Sequence, residues 1–168
     1  MHPVAFSVRV AYEDPLNSLK MTGDRVSYTL DSTLESVNTA EEAALRIASA
    51  VGFDEDETQK ISMAVREGAV NAVLHGNAYD PQKKLRIAFE KKGSSLVITI
   101  ADEGKGLDPA KIPDPLAPEN LLKQSGRGVF LMRTFMDEVR FRSLHPGTEI
   151  TLLKQVRGAA ADAKERSK

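Results

Sequence analysis

In the helix-favouring, largely apolar stretch AVREGAVNAVLHGNAYD (64–80), three polar side chains recur four residues apart: Glu67, Asn71 and His75. That interval stacks them on one side of a helix, roughly opposite Ser62 and Arg66. An amphipathic helix needs only one polar face, so the second requires buried hydrogen-bonding partners or a ligand. Glu67 and Asn71 alone suit an internal polar network equally well. The segment DEGKGLD (102–108) follows an apolar strand pattern. Its Gly104 and Gly106 permit close backbone approach to a ligand, and Asp102 can accept a hydrogen bond from a base or amine. An Asp-Glu-Gly turn with no ligand gives the same string. In SGRGVFLM (125–132), Gly126 and Gly128 stand just before a helical pattern. Free amides and the positive end of the helix dipole favour phosphate there, with Arg127 able to add a charge-assisted contact. Thr148 opens the last strand, where a turn hydroxyl is the simplest reading.

The elements that must carry these groups follow from periodicity and punctuation. RVSYTLDS alternates as a strand, and TAEEAALRIASAVG reads as a helix with Thr39 and Glu42 as a capping box and Gly52 as its stop. Asp54 and Glu57 repeat the capping spacing before a helix over about residues 56–75. KLRIAFEK and SLVITIAD form a hairpin, VRFRSL and TEITLLKQV a second one over HPG, and GVFLMRTFMDE a helix between them. The glycines and prolines between Glu103 and Ser125 forbid a regular element over most of that span and predict a lid at about 107–125. The expected fold is an α/β (α+β) two-layer sandwich, a mixed, mostly antiparallel sheet with helices on one face. Residues 26–156 form the single domain, 1–25 an N-terminal arm serving as an extra strand or left disordered, and 157–168 a frayed tail.

Composition narrows the function. With 168 residues, a formal charge of −1 and a pI near 6.3, the chain carries no electrostatic footprint for nucleic acid. It shows neither a long apolar run nor a signal-peptide pattern, which predicts a cytoplasmic protein away from membranes. Zero cysteines exclude disulfides, thiolate metal sites and a cysteine nucleophile. His2, His75 and His145 lack zinc-ligand spacing, so any metal must be held by oxygen. No Walker A or Rossmann glycine pattern occurs, so a nucleotide site must be of another type.

Taken in chain order, these segments resemble the Bergerat-fold ATPase superfamily shared by gyrase, histidine kinases and MutL, from about Val26 to Gln155. EGAVNAVLHGN is similar to that family's N box, DEGKGLD to its first glycine box and GRGVFLMRTFMDEV to its second. The compact branch of anti-sigma-factor serine/threonine kinases is the most similar. The resemblance implies ATP and Mg²⁺, with Asn71 holding the metal and Glu67 acting as general base toward a serine hydroxyl or water. It implies that Asp102 accepts from the adenine amino group, supported by Thr148 through a hydroxyl or a water. Gly104 and Gly106 then flank the nucleotide, and Gly126, Arg127 and Gly128 cradle its phosphates. His75 either caps the helix or touches nucleotide.

No upstream dimerisation helix with a phospho-acceptor histidine appears, and no gyrase-type transducer domain. Gln124 and Ser125 replace a glycine common in the branch. The implied partners are a sigma factor, an anti-anti-sigma (STAS-type) protein substrate and a second copy of the chain. The rival reading is a nucleotide-gated binder that sequesters a regulator without phosphorylating it. A weaker third is an accessory kinase domain serving another response pathway. Glu67 discriminates between kinase and binder, because a pure binder needs no base.

Overall fold

The computed structural model describes residues 25–106 and 124–157. The expected arm at 1–25, lid at 107–125 and tail at 157–168 fall outside these residues except at their margins. Five strands and three helices follow in the order β1 (Arg25–Asp31), α1 (Leu34–Val51), α2 (Glu55–Val70), β2 (Lys84–Lys92), β3 (Ser95–Ala101), α3 (Gln124–Phe135), β4 (Glu138–Ser143) and β5 (Thr148–Gln155). One sheet, ordered β1-β2-β3-β5-β4, takes all five strands, and every pairing is antiparallel. The α+β sandwich expected from the sequence is thus present, with the sheet antiparallel throughout the described residues.

Alternation along the strands creates the core. Tyr28 and Leu30 of β1, Leu85, Ile87 and Phe89 of β2, and Leu96, Ile98 and Ile100 of β3 are buried. Ile150 and Leu152 of β5 continue the same inward face. Opposite them lie Val37, Ala44, Ile47 and Ala48 of α1, Ile61, Ala64 and Val65 of α2, and Met132 of α3. A Cβ on Gly68 would lie 2.6 Å from Ile100 Cδ1, so this glycine lets α2 seat close against β3. Close seating brings the C-terminal end of α2 to the strand end that carries Asp102.

The caps correct one expectation and support another. Helix α1 begins five residues before the proposed box: the Thr33 side chain accepts from Ser36 N at 3.2 Å. Thr39 is inside the helix, donating its hydroxyl to Glu35 O at 3.1 Å. The Thr39/Glu42 spacing misled because Thr33, Leu34 and Glu35 already supply a cap, an apolar residue and an acid for the first turn. Gly52 ends α1 in the left-handed region at φ 114°, and Asp54 caps α2 by accepting from Glu57 N at 2.8 Å. The second hairpin lies where HPG placed it, with Ser143 opposite Thr148. Among the described residues no helix is long and apolar enough to cross a membrane.

Candidate functional site

The second helix does not run unchanged to residue 75. After Val70 it widens into a π-helical turn over Asn71–Gly76, closed by Asn77 N–H donating to Ala72 O at 2.7 Å and Tyr79 N–H to Val73 O at 3.0 Å. Such widened turns are rare and concentrate at functional sites. The α spacing survives between Glu67 and Asn71, whose N–H donates to Glu67 O. Both side chains are half-buried. His75, within the wider turn, is exposed.

Helix α3 completes this end of the site. A Cβ built on Gly128 would lie 2.9 Å from Glu67 Oε2 and 3.7 and 3.9 Å from the Asn71 carboxamide nitrogen and oxygen. The two polar side chains therefore lie against the first turns of α3, where a Cβ on Gly128 would displace the Glu67 carboxylate. The helix begins at Gln124, so Gly126 and Gly128 sit within its first turns, where the sequence reading had them precede it. The first four amides of a helix lack intrahelical partners, and here they include those of Gly126 and Arg127. Arg127 is exposed. A carboxylate and a carboxamide against the first turns of a helix, whose N-terminal end favours anions, suit a phosphate chain with a hard, oxygen-ligated cation.

Asp102 forms the other end and is only 6% exposed. Its Oδ1 accepts from Gly104 N at 2.9 Å and from Thr148 N at 3.2 Å, and its own N–H donates to Thr148 O at 3.0 Å. Thr148 thus holds Asp102 through its main chain. Burial raises the Asp102 pKa above the usual carboxylate value, partly offset by the two amide donors and by Lys83. Glycines close around it. A Cβ on Gly76 would come within 2.4 Å of the carboxylate, one on Gly104 would strike Gly76 O, and one on Gly147 would strike Asp102 O. Gly106, at φ 88°, lies beside Gly147 and Ser143.

The structure therefore groups Glu67, Asn71 and Gly128 at one end, and Asp102, Gly104, Gly106 and Thr148 at the other. Sequence reasoning missed Gly76, Gly147 and Asn77 as parts of this site. Gly147 carried a signal in the Pro-Gly-Thr turn, and Asn77 lay in the quoted N box without a role. Among the described residues no cluster of three acidic or histidine side chains could hold a metal. An ion at Asn71 would rely on ligand phosphates for its remaining contacts.

Residues 30–154 match the family described as the histidine kinase-like ATPase domain. The chain is 29% identical over 150 residues to the serine-protein kinase RsbW of Bacillus subtilis (strain 168), covering 86% of this chain and 93% of that protein. It is 36% identical over 106 residues to an anti-sigma F factor of Anoxybacillus flavithermus, covering 60% of this chain and 71% of that one. A solved structure of the RsbU and RsbW domains of Rv1364c from Mycobacterium tuberculosis superposes with a TM-score of 0.61 at 22% identity. It covers 81% of this chain and 34% of the other, and the likeness is one of fold. With a match spanning nearly all of the folded core, the chain belongs to the histidine kinase-like ATPase domain family.

Proposed function

We propose that the protein is an ATP-dependent serine/threonine kinase acting as an anti-sigma factor. It would phosphorylate an anti-anti-sigma antagonist of the STAS type and sequester a sigma factor. The observation that carries the reading is the placement of the Glu67 carboxylate and the Asn71 carboxamide against Gly128, in the first turns of α3. Similarity to proteins named as a serine-protein kinase and an anti-sigma factor supports the choice of substrate and partner class.

In this mechanism the amides at the start of α3 and Arg127 bind the ATP phosphates, while Asp102 accepts from the adenine amino group. The backbone at Gly104 and Gly106 lies against the base, and Thr148 holds Asp102 in place through its N–H. Asn71 would contribute an oxygen ligand to Mg²⁺, which when bound neutralises phosphate charge. Glu67 takes the proton of the attacking serine hydroxyl. The serine oxygen bonds to the γ-phosphorus as the bond to the β–γ bridging oxygen breaks, leaving ADP and phosphoserine.

The test is transfer of labelled γ-phosphate from Mg-ATP to the anti-anti-sigma domains of the same genome, comparing wild type with Glu67→Gln. The expected result is transfer to one of them that falls by about 10²-fold or more in the variant, with ATP binding retained. Equal turnover in the two proteins would remove Glu67 from the mechanism. ATP binding without transfer to any domain would favour a nucleotide-gated binder.

A further inference from the structure

Asn77 is 1% exposed and sits directly after the π turn. All of its side-chain donors are used, and its orientation is determined by its partners. Its Oδ1 accepts from Glu103 N at 2.8 Å, while Nδ2 donates to Ser32 Oγ at 2.8 Å and to Lys84 O at 3.1 Å. Ser32 Oγ donates to Lys83 O at 2.5 Å, so it must accept from Asn77, and the chain of hydrogen bonds runs one way. Glu103 N–H offers only a donor and Lys84 C=O only an acceptor, which excludes the flipped amide.

This side chain holds the residue after Asp102. Three successive amides fix the backbone there: Asp102 N–H to Thr148 O, Glu103 N–H to Asn77 Oδ1, and Gly104 N–H to Asp102 Oδ1. The first and third partners belong to β5 and to Asp102 itself. Only the second comes from the segment that bears Glu67 and Asn71. Asn77 also reaches the turn after β1 and the start of β2, so it references the Asp102 loop to the sheet and to the helix at once.

We infer that Asn77 is a positioning residue for base recognition, setting the Asp102 carboxylate relative to the phosphate-binding end of α2 through its bond to Glu103 N–H. The inference rests on the reading of Asp102 as the adenine acceptor. A positioning role of this kind separates the two ends of the ligand. Losing the bond weakens recognition of the base while leaving the contacts to phosphate in place, because those come from α2 and α3.

The test is calorimetric binding of Mg-ATP, Mg-GTP and inorganic tripolyphosphate with Mg²⁺ to the full chain, in wild type, Asn77→Ala and Asn77→Asp. Asn77→Ala should weaken ATP by about tenfold and tripolyphosphate by less than about threefold, lowering the ATP/GTP preference, as for a lost hydrogen bond of about 1.4 kcal/mol. Asn77→Asp keeps an oxygen for Glu103 N–H and should hold the ATP/tripolyphosphate ratio within about twofold of wild type, although it loses the donors and is less stable. Should Asn77→Ala not fold, Asn77→Ser keeps a polar group but is too short to reach Glu103 N–H, and should shift the ratio in the same direction by about threefold or more. Parallel losses for all three ligands, or an unchanged ratio, would overturn the positioning role. A wild-type protein that binds ATP no more tightly than tripolyphosphate would overturn the reading of Asp102, and this inference with it.

Discussion

Asp102 shows how one side chain acquires its chemistry from its surroundings. A carboxyl whose pKa is higher in the folded than in the unfolded chain binds more protons when folded. Its charge therefore costs stability at neutral pH, and that cost disappears as the pH falls through the raised value. Asp102→Asn should accordingly make the ligand-free protein more stable at neutral pH, with the gain shrinking as the pH falls, measured by thermal melts across pH. ATP affinity should change in the opposite sense. Protonated Asp102 cannot accept from adenine by its ionised oxygen, so wild-type affinity should decline on acidification at a higher pH than an exposed aspartate would impose. A pH profile identical in Asp102→Asn would refute that assignment. Gly128 makes a complementary case, because its missing Cβ leaves room for Glu67 Oε2. In Gly128→Ala the flexible carboxylate can swing aside, so stability should change by less than about 1 kcal/mol. Phosphotransfer should nonetheless drop by about tenfold or more, since a base displaced from hydrogen-bond reach no longer takes the proton.

Among the elements, the turns and caps set where these side chains can go. Asp54 caps α2 and its loss in Asp54→Ala should cost about 1 kcal/mol by chemical denaturation, with nucleotide selectivity unchanged. Gly147 is the sharper test. At φ 107° it occupies a region L side chains avoid, and a Cβ there would strike the Asp102 carbonyl. Gly147→Ala should destabilise by about 2 kcal/mol or more and weaken ATP binding with it. Normal stability in that variant would mean that the turn relaxes at little cost. The π turn carries His75 to an exposed position at its end. Ala78 and Tyr79 follow at φ 49° and 57°, two non-glycine residues in the left-handed region that turn the chain from the helix toward β2.

At the scale of the whole molecule, a half-buried ion pair joins the layers at the end of α2 far from the site. Lys154 of β5 lies 2.9 Å from Glu57 in the first turn of α2, and it donates to Phe135 O at 2.7 Å at the end of α3. The Glu57 oxygen approaches without hydrogen-bond alignment, so the contact is chiefly electrostatic. Lys154→Ala leaves that carboxylate and the helix end unpaired and should cost about 2 kcal/mol. Because the clamp is remote from Asp102 and Asn77, the ATP/tripolyphosphate ratio should stay within about twofold of wild type, measured beside the melts. A shift in that ratio would show that the whole helix moves as a lever.

Much of this was legible in the chain itself, for a local reason. Strand alternation, the capping Asp54 and the stop at Gly52 depend on neighbours a few residues away. The types and spacing of Glu67, Asn71 and Asp102 likewise singled out residues that the fold sets at the two ends of the candidate site. Contacts between distant segments were not legible, because periodicity carries no information about partners far along the chain. The strand order β1-β2-β3-β5-β4 is one such outcome. The bond from Thr148 N to Asp102, spanning 46 residues, is another. Asn77 looked like one more turn residue until folding buried its amide among Ser32, Lys84 and Glu103, since a buried carboxamide takes its role from whichever backbone groups the tertiary fold brings within reach.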